Sequence, residues 1–416
     1  MNRRIAAALV ALAVGAAACG DDGGGEATVP VVSSTTSEPT STTSSEVDAP
    51  EAAELRASFR GVSETEIQLG IGIIDASAFG FDNGDQRAQW QVAIDRANEA
   101  GGVLGRRLVP HFQSYLPVGS VEPEAACAVH VEDVGVFALL GALRDNNELC
   151  YTELGDTLVI NTFPVSDVAV TRSGGLLFST EPQGLDRELE GIALLADVGS
   201  IADERFAVRA LPAQESYLEP IVDAIEAAGG EVVSVTVQST DAGDVVSAAS
   251  EADLALELAT TNGATAFYGV GDIGLGMAGA VERAGSDVAL YSPSAGASTF
   301  LTFGYDLTAI DYTALNRQPM REVYEAGEPG AVECVDEYES RTGNTVNVGV
   351  PNPEVDNFEV LLRTCRAIEM FVAIAEAAGA ELTNAAFVEA AARLGPFELT
   401  ASPGGALGPG AVGADE

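Results

Sequence analysis

The 416-residue chain contains no lysine: all 20 of its basic residues are arginine, against 63 acids, for a net charge of −43. Without lysine there is no Schiff-base amine and no P-loop, and so acidic a chain offers no basic face to a nucleic acid. Histidine is nearly as scarce, with only His111 and His130. A hydrolytic triad needs a histidine base beside a nucleophile and an orienting acid. No G-x-S-x-G or H-E-x-x-H motif occurs, so both histidines are read as structural and no catalytic residue is assigned. Past the first 18 residues no stretch of 18 consecutive apolar residues could cross a bilayer. The acid excess makes for a soluble, anion-repelling surface without naming a ligand.

What is present begins with an address. Arg3 and Arg4 precede the apolar run Ile5–Val14, and Ala16-Ala17-Ala18 leads into Cys19. This is the layout of a signal peptide over residues 1–18, and Ala-Ala-Ala-Cys resembles the lipobox of bacterial lipoproteins, with Ala16 where a leucine is usual. The resemblance implies lipidation at Cys19 and a chain exported and held at the outer face of the cell membrane. Residues 19–65, rich in Ser, Thr, Gly and Pro to about residue 50, are expected to form a disordered tether. The other four cysteines, Cys127, Cys150, Cys334 and Cys365, allow three pairings in an oxidising compartment, and proximity favours Cys127–Cys150 with Cys334–Cys365. No C-x-x-C pair occurs and no histidine lies at ligand spacing, so no metal is expected.

From Glu66 the pattern is strand, helix, strand. Ile67, Leu69, Ile71, Ile73 and Ile74 mark a buried strand over 66–74. Asp75–Gly84 is a loop, Asp85 an N-cap, Trp90, Ala93, Ile94 and Ala97 a helix face, Gly101 its C′ stop, and Val109–Phe112 the next strand. Such βαβ units bind ligands outside the carboxyl ends of their strands. The grammar continues through strands at 134–140, 157–162 and 176–180, then 206–211, 232–237, 264–270 and 288–292. Helices are read at 125–131, 149–154, 185–198, 217–228, 248–261, 274–283, 332–341, 358–378 and 387–394. Residues 297–330 read as irregular. Ala224–Gly230 echoes Ala93–Gly102, a weak internal repeat that suggests two similar lobes. Gly269–Gly274 matches G-x-G-x-x-G, but the following strand ends Tyr291-Ser292-Pro293 without the ribose-binding acid. It is read as a strand-end turn, and no cofactor is expected.

The phrase Asn98-Glu99-Ala100-Gly101-Gly102-Val103-Leu104-Gly105-Arg106, closing the first helix, resembles the opening of the branched-chain amino-acid-binding family of periplasmic receptors, substrate-binding proteins of ABC transporters with the type I fold. That resemblance implies an α/β protein of two doubly wound parallel-sheet lobes joined by a three-strand hinge. Lobe one would span 66–182 and 298–394, and lobe two 183–297 and 395–416, with crossings near Pro182, Ala297 and Gly395. It implies a non-enzymatic monomer that closes on a small polar ligand (an amino acid, amide or similar) and delivers it to an ABC permease. The alternative is a ligand-sensing lipoprotein that signals without transport. The ligand would lie among strand-end loops carrying Ser77, Phe79, Arg144, Asp145, Asn146, Thr162 and Phe163 from lobe one. From lobe two it would meet Glu215, Tyr217, Asp272 and Ser294. The family's ammonium-binding glutamate is replaced by the Ser292–Gly296 stretch, so the branched-chain specificity does not carry over.

Overall fold

A computed structural model describes residues 55–77, 82–116, 119–181, 184–239, 245–270, 275–292, 312–314, 320–348, 357–395, 397–405 and 407. Everything described lies in one compact unit, Ala53–Glu416.

The first sheet is parallel, in the order β2-β1-β3-β4-β5: β1 (Glu66–Ile74), β2 (Arg107–Tyr115), β3 (Ala138–Gly141), β4 (Leu158–Asn161) and β5 (Leu177–Ser179). Its inner strands are apolar on both faces because both faces are covered. On one, Ile67, Leu69, Ile71, Leu140 and Ile160 pack against α1 (Gln86–Glu99), through Trp90 and Ile94, and against two late helices. On the other, Leu139, Val159 and Leu177 meet Tyr115, Cys127 and Tyr151. The Asp85 carboxylate accepts from the Ala88 N–H at 3.0 Å, capping α1 as its sequence suggests. At the far end Gly101 and Gly102 have φ of 115° and 63°. A Cβ on Gly102 would stand 2.0 Å from the Arg106 carbonyl, so the second glycine is a steric requirement of the turn into β2.

The second sheet repeats this topology: β7-β6-β8-β9-β10, built from β6 (Arg205–Ala210), β7 (Glu231–Val237), β8 (Ala266–Val270), β9 (Ala289–Ser292) and β10 (Tyr312–Ala314). Helices α4 (Gly184–Asp197) and α5 (Leu218–Ala227) cover one face through Ile192, Leu195, Ile221 and Ile225. Helices α6 (Val245–Thr261) and α7 (Leu275–Ala284) cover the other through Leu256, Met277 and Val281. The late helices α9 (Pro329–Thr342), α10 (Phe358–Ala378) and α11 (Asn384–Leu394) return to the first core. Cys127 bonds Cys150 and Cys334 bonds Cys365, the two proximity pairs, with sulfurs 2.06 and 2.00 Å apart.

Several expectations need correction. Residues 55–65 are no tether. Val62 is buried in the first core, Phe59 packs edge-on against Phe137, and the Ser58 hydroxyl donates to the Leu382 carbonyl. Arg106, fully buried, donates to the carbonyls of Arg56, Ser63 and Ala380 at 3.0, 2.8 and 2.7 Å. With only Leu55, Phe59 and Val62 as bulky apolar residues, a segment held by a distant guanidinium has no pattern of its own. Residues 395–416 do not belong with the second lobe as far as they are described. Strands β11 (Phe397–Leu399) and β12 (Ser402–Gly405) form a hairpin, and Leu399, Ala401 and Leu407 lie in the first core. Nor does the second lobe stop at 297, since β10 pairs with β9. A three-residue strand is too short to show a period. Within 297–330, Met320–Glu325 forms a short helix, α8. Strand β3 starts at Ala138 rather than 134, because α2 (Val121–Ala128) runs on as a π-helical turn, Val129–Val134. Asp167–Arg172 is an unexpected short helix, α3. Pro182 and Ala297, two of the three expected crossings, lie outside the described residues.

Candidate functional site

The carboxyl ends of β1, β3, β4 and β5 bring the first lobe's loops to one edge, where a doubly wound sheet presents its ligand site. After β1, Gln86 grips the strand end, accepting from the Ile74 N–H at 3.1 Å and donating to its carbonyl at 2.5 Å. A cavity of about 340 Å³ opens beside it, lined by Ile73, Asp75, Ser77, Asp85, Gln86 and Ser114, within the range of small-molecule pockets. The Ser77 hydroxyl donates to Asp75 at 2.6 Å, and that bond, followed by the one from the Ser77 N–H, lowers the Asp75 pKa. Ser77 is thus at the site, turned to its neighbour. Phe79 lies outside the described residues.

The loops after β3 and β4 form one unit around Asn161, which is fully buried. Its Nδ2 donates to the Leu143 carbonyl at 2.9 Å and to Glu148 Oε1 at 2.6 Å. Its Oδ1 accepts from the N–H groups of Leu143 and Phe163 at 3.0 and 3.1 Å. Asp145 and Asn146 both take left-handed backbone, with φ of 58° and 63°. That conformation suits short polar side chains. The Ser166 hydroxyl donates to Asn146 Oδ1 at 2.6 Å, tying the two loops again. Arg144 lies over the Phe163 ring, its guanidinium carbon 4.5 Å from the centroid, and Arg363 from α10 approaches the same ring at 5.8 Å. Thr162 is buried and donates its N–H to the Gly141 carbonyl at 2.9 Å.

Charge beyond the end of β5 is paired. Glu181, two residues past β5, meets Arg363 at 3.3 Å and Arg366 at 3.4 Å. Arg366 is fully buried and also donates to the carbonyls of Thr400 (2.6 Å) and Ala401.

The second lobe reaches this edge through the 3₁₀ turn Pro212–Tyr217 after β6. Tyr217 is buried, and its hydroxyl accepts from the Asp167 N–H at 3.0 Å. A Cβ on Gly184 would stand 2.4 Å from that hydroxyl, so glycine is needed where α4 starts. Burial, followed by the nearby Asp167, Glu188 and Asp186 charges, raises the Tyr217 pKa, and the phenol stays neutral. Glu215 is exposed on the same turn. Asp272 and Ser294 lie outside the described residues, as does Cys19.

Of the candidates, the fold gathers Arg144, Asp145, Asn146, Thr162 and Phe163 into one network and sets Tyr217 against it. Sequence reasoning missed Asn161, Glu148 and Gln86, whose buried amides and carboxyl hold the loops. The sole signal was polar residues at strand ends. Glu148 is the most perturbed of them, its pKa raised to about 7 chiefly by burial, with Asp145 adding to it. Both histidines are engaged structurally. His111 Nε2 contacts Gln68 Oε1 at 2.7 Å. His130 lies between the Tyr151 hydroxyl (3.0 Å) and the His111 carbonyl (2.8 Å), and burial lowers its pKa to about 4. Among the described residues no group of three or more His, Cys, Asp or Glu could hold a metal ion, and no helix is long and apolar enough to cross a membrane.

No protein-family model and no curated protein matches the chain. Solved structures match its shape over most of their length. A solute-binding protein of an ABC transporter from R. palustris, in complex with 4-hydroxybenzoate, aligns with a TM-score of 0.60 at 13% identity, over 84% of this chain and 90% of that one. A type 1 periplasmic binding protein from Bordetella pertussis Tohama I gives 0.60 at 12% identity over 84% and 94%. An ABC transporter substrate-binding protein from Desulfitobacterium hafniense in complex with Leu gives 0.54 at 15% identity over 80% and 91%. The fold of this chain is therefore that of the type I periplasmic binding proteins, two parallel-sheet α/β lobes.

Proposed function

We propose that the protein is an extracytoplasmic solute receptor, which closes two lobes on a small polar ligand and presents it to an ABC importer. The observation that carries this reading is the bond between the Tyr217 hydroxyl and the Asp167 N–H. It joins the turn after β6 of the second sheet to the start of α3, which follows β4 of the first, and so supports a cleft between the carboxyl ends of the two sheets. That is where ligands of doubly wound sheets sit. The similar solved structures are solute- and substrate-binding proteins, which supports the role. One of them is in complex with leucine and another with 4-hydroxybenzoate, so the shape leaves the cargo open.

In this reading Arg144 and Asn146 supply donors, Asp145 and Glu215 acceptors for a ligand cation, and the Phe163 edge an apolar wall. Ser77 adds to the lining. No bond is made or broken. Binding lowers the free energy of the closed form alone, with the crossings between lobes absorbing the rotation. Cys19 carries a lipid that keeps the receptor beside its permease.

The test is a thermal-shift screen of the oxidised protein against amino acids, amides and aromatic and aliphatic carboxylates, with mass spectrometry of molecules retained on purification. A ligand at 100 times its Kd stabilises the protein by about 2.7 kcal/mol. Failure of every compound to raise the melting temperature, with nothing co-purifying, would defeat the receptor reading.

A further inference from the structure

The loop from Ala142 to Leu149 carries three of the candidate ligand residues and is held from beneath by one carboxyl group. Glu148 is 2% exposed. Its Oε1 accepts from Asn161 at 2.6 Å, while its Oε2 is buried with no hydrogen-bond partner. Among the described residues no arginine pairs with it. The charged groups that face it are all of the wrong sign to help. Asp145, on its own loop, is an acid. Tyr115, on β2, is a fully buried phenol that donates to the Ala142 carbonyl at 3.0 Å and whose own proton is held by burial and by Glu148. Behind Tyr115 stands Tyr151, hydrogen-bonded to the neutral His130. A carboxylate ionised here would be a buried charge helped only by its own backbone N–H and the Asn161 amide, and burial outweighs both.

We propose that Glu148 is a positioning residue that works as a neutral acid: its protonated form keeps the Arg144–Asn146 segment seated on Asn161, and loss of the proton releases that segment. The proposal takes from the receptor reading only that this segment touches ligand. Release of the segment withdraws Arg144 and Asn146 from the cleft, so affinity falls as pH rises. The direction follows from linkage. The carboxyl has a pKa of about 7 when seated and an ordinary 4.5 when released. The seated form therefore holds its full advantage below 4.5 and loses it as pH rises through 7.

Hydrogen–deuterium exchange of the peptide spanning 139–149, corrected for intrinsic exchange rates, tests this without any ligand. In the wild type the corrected opening constant should rise about fortyfold from pH 5 to pH 7 and then level off. Glu148→Gln keeps an acceptor for Asn161 and cannot ionise, so its profile should be flat. Asp145→Asn, at an exposed position already in left-handed backbone, removes a like charge and should make the rise level off at a lower pH. A flat wild-type profile, or a Glu148→Gln profile that tracks the wild type, overturns the proposal. A pH-dependent loop in a protein that binds no ligand would leave the lock standing and remove the receptor reading.

Discussion

Replacing Arg366 by methionine isolates what a buried guanidinium does at the junction of three chain segments. The side chain is fully buried, donates to the carbonyls of Thr400 and Ala401, and meets Glu181 at 3.4 Å. Methionine fills similar space but donates nothing, which strands two carbonyls and leaves Glu181 with Arg363 alone. Removing one partner of such a network costs about 4 kcal/mol, most of it the penalty of unpaired groups left inside. Trp90 is the sole tryptophan and packs in the first core, so its emission in urea reports this lobe. Arg366→Lys restores charge without the fork and should recover less than half of the loss. Combining Arg366→Met with Glu181→Leu should cost about 2 kcal/mol less than the sum of the single changes, because the two residues share one interaction. An Arg366→Met protein within about 1 kcal/mol of wild type, or strict additivity in the double variant, would refute the argument.

Three further outcomes follow from the same structure. His130, buried neutral with its pKa lowered to about 4 from an ordinary 6.5, contributes stability that is present above 6.5 and lost as pH falls toward 4. The loss is about 3 kcal/mol, checked by urea midpoints across that window and by an NMR titration in which His130 stays neutral well below His111's range. Each disulfide closes a loop, of 23 and 31 residues, so Cys127→Ser with Cys150→Ser, and separately Cys334→Ser with Cys365→Ser, should each lower stability by about 3 kcal/mol, read by urea unfolding under oxidising conditions. Deleting residues 1–54 leaves the Arg56 and Ser63 carbonyls, Phe59 and Val62 in place, whereas deletion through Ser63 strips Arg106 of two of its three carbonyls and removes Val62. Only the longer deletion should destabilise Trp90's lobe, by several kcal/mol.

The sheets and their helices were legible because buried strands and helix faces are written in local periodicity. Ile67 to Ile71 says strand wherever it lies, and Gly101-Gly102 says stop because both take positive φ and at Gly102 only glycine clears the Arg106 carbonyl. What stayed hidden depends on partners far away in sequence. Nothing near Phe59 announces that Arg106 will bond the carbonyls around it, and nothing near Thr400 announces Arg366. At the site, the loops that carry Arg144 and Phe163 could be placed at strand ends. The residues that fix their shape could not, because Asn161 and Glu148 become informative only when burial brings them within 2.6 Å.

The entry of the chain through residues 55–63 also sets the load path of the molecule. Those residues are bonded to Gly155, Thr157 and Leu382, and their Arg56 and Ser63 carbonyls accept from Arg106, all parts of the first lobe. A pull on the amino-terminal end is therefore taken up by that lobe before it reaches any crossing. The second lobe carries no tension.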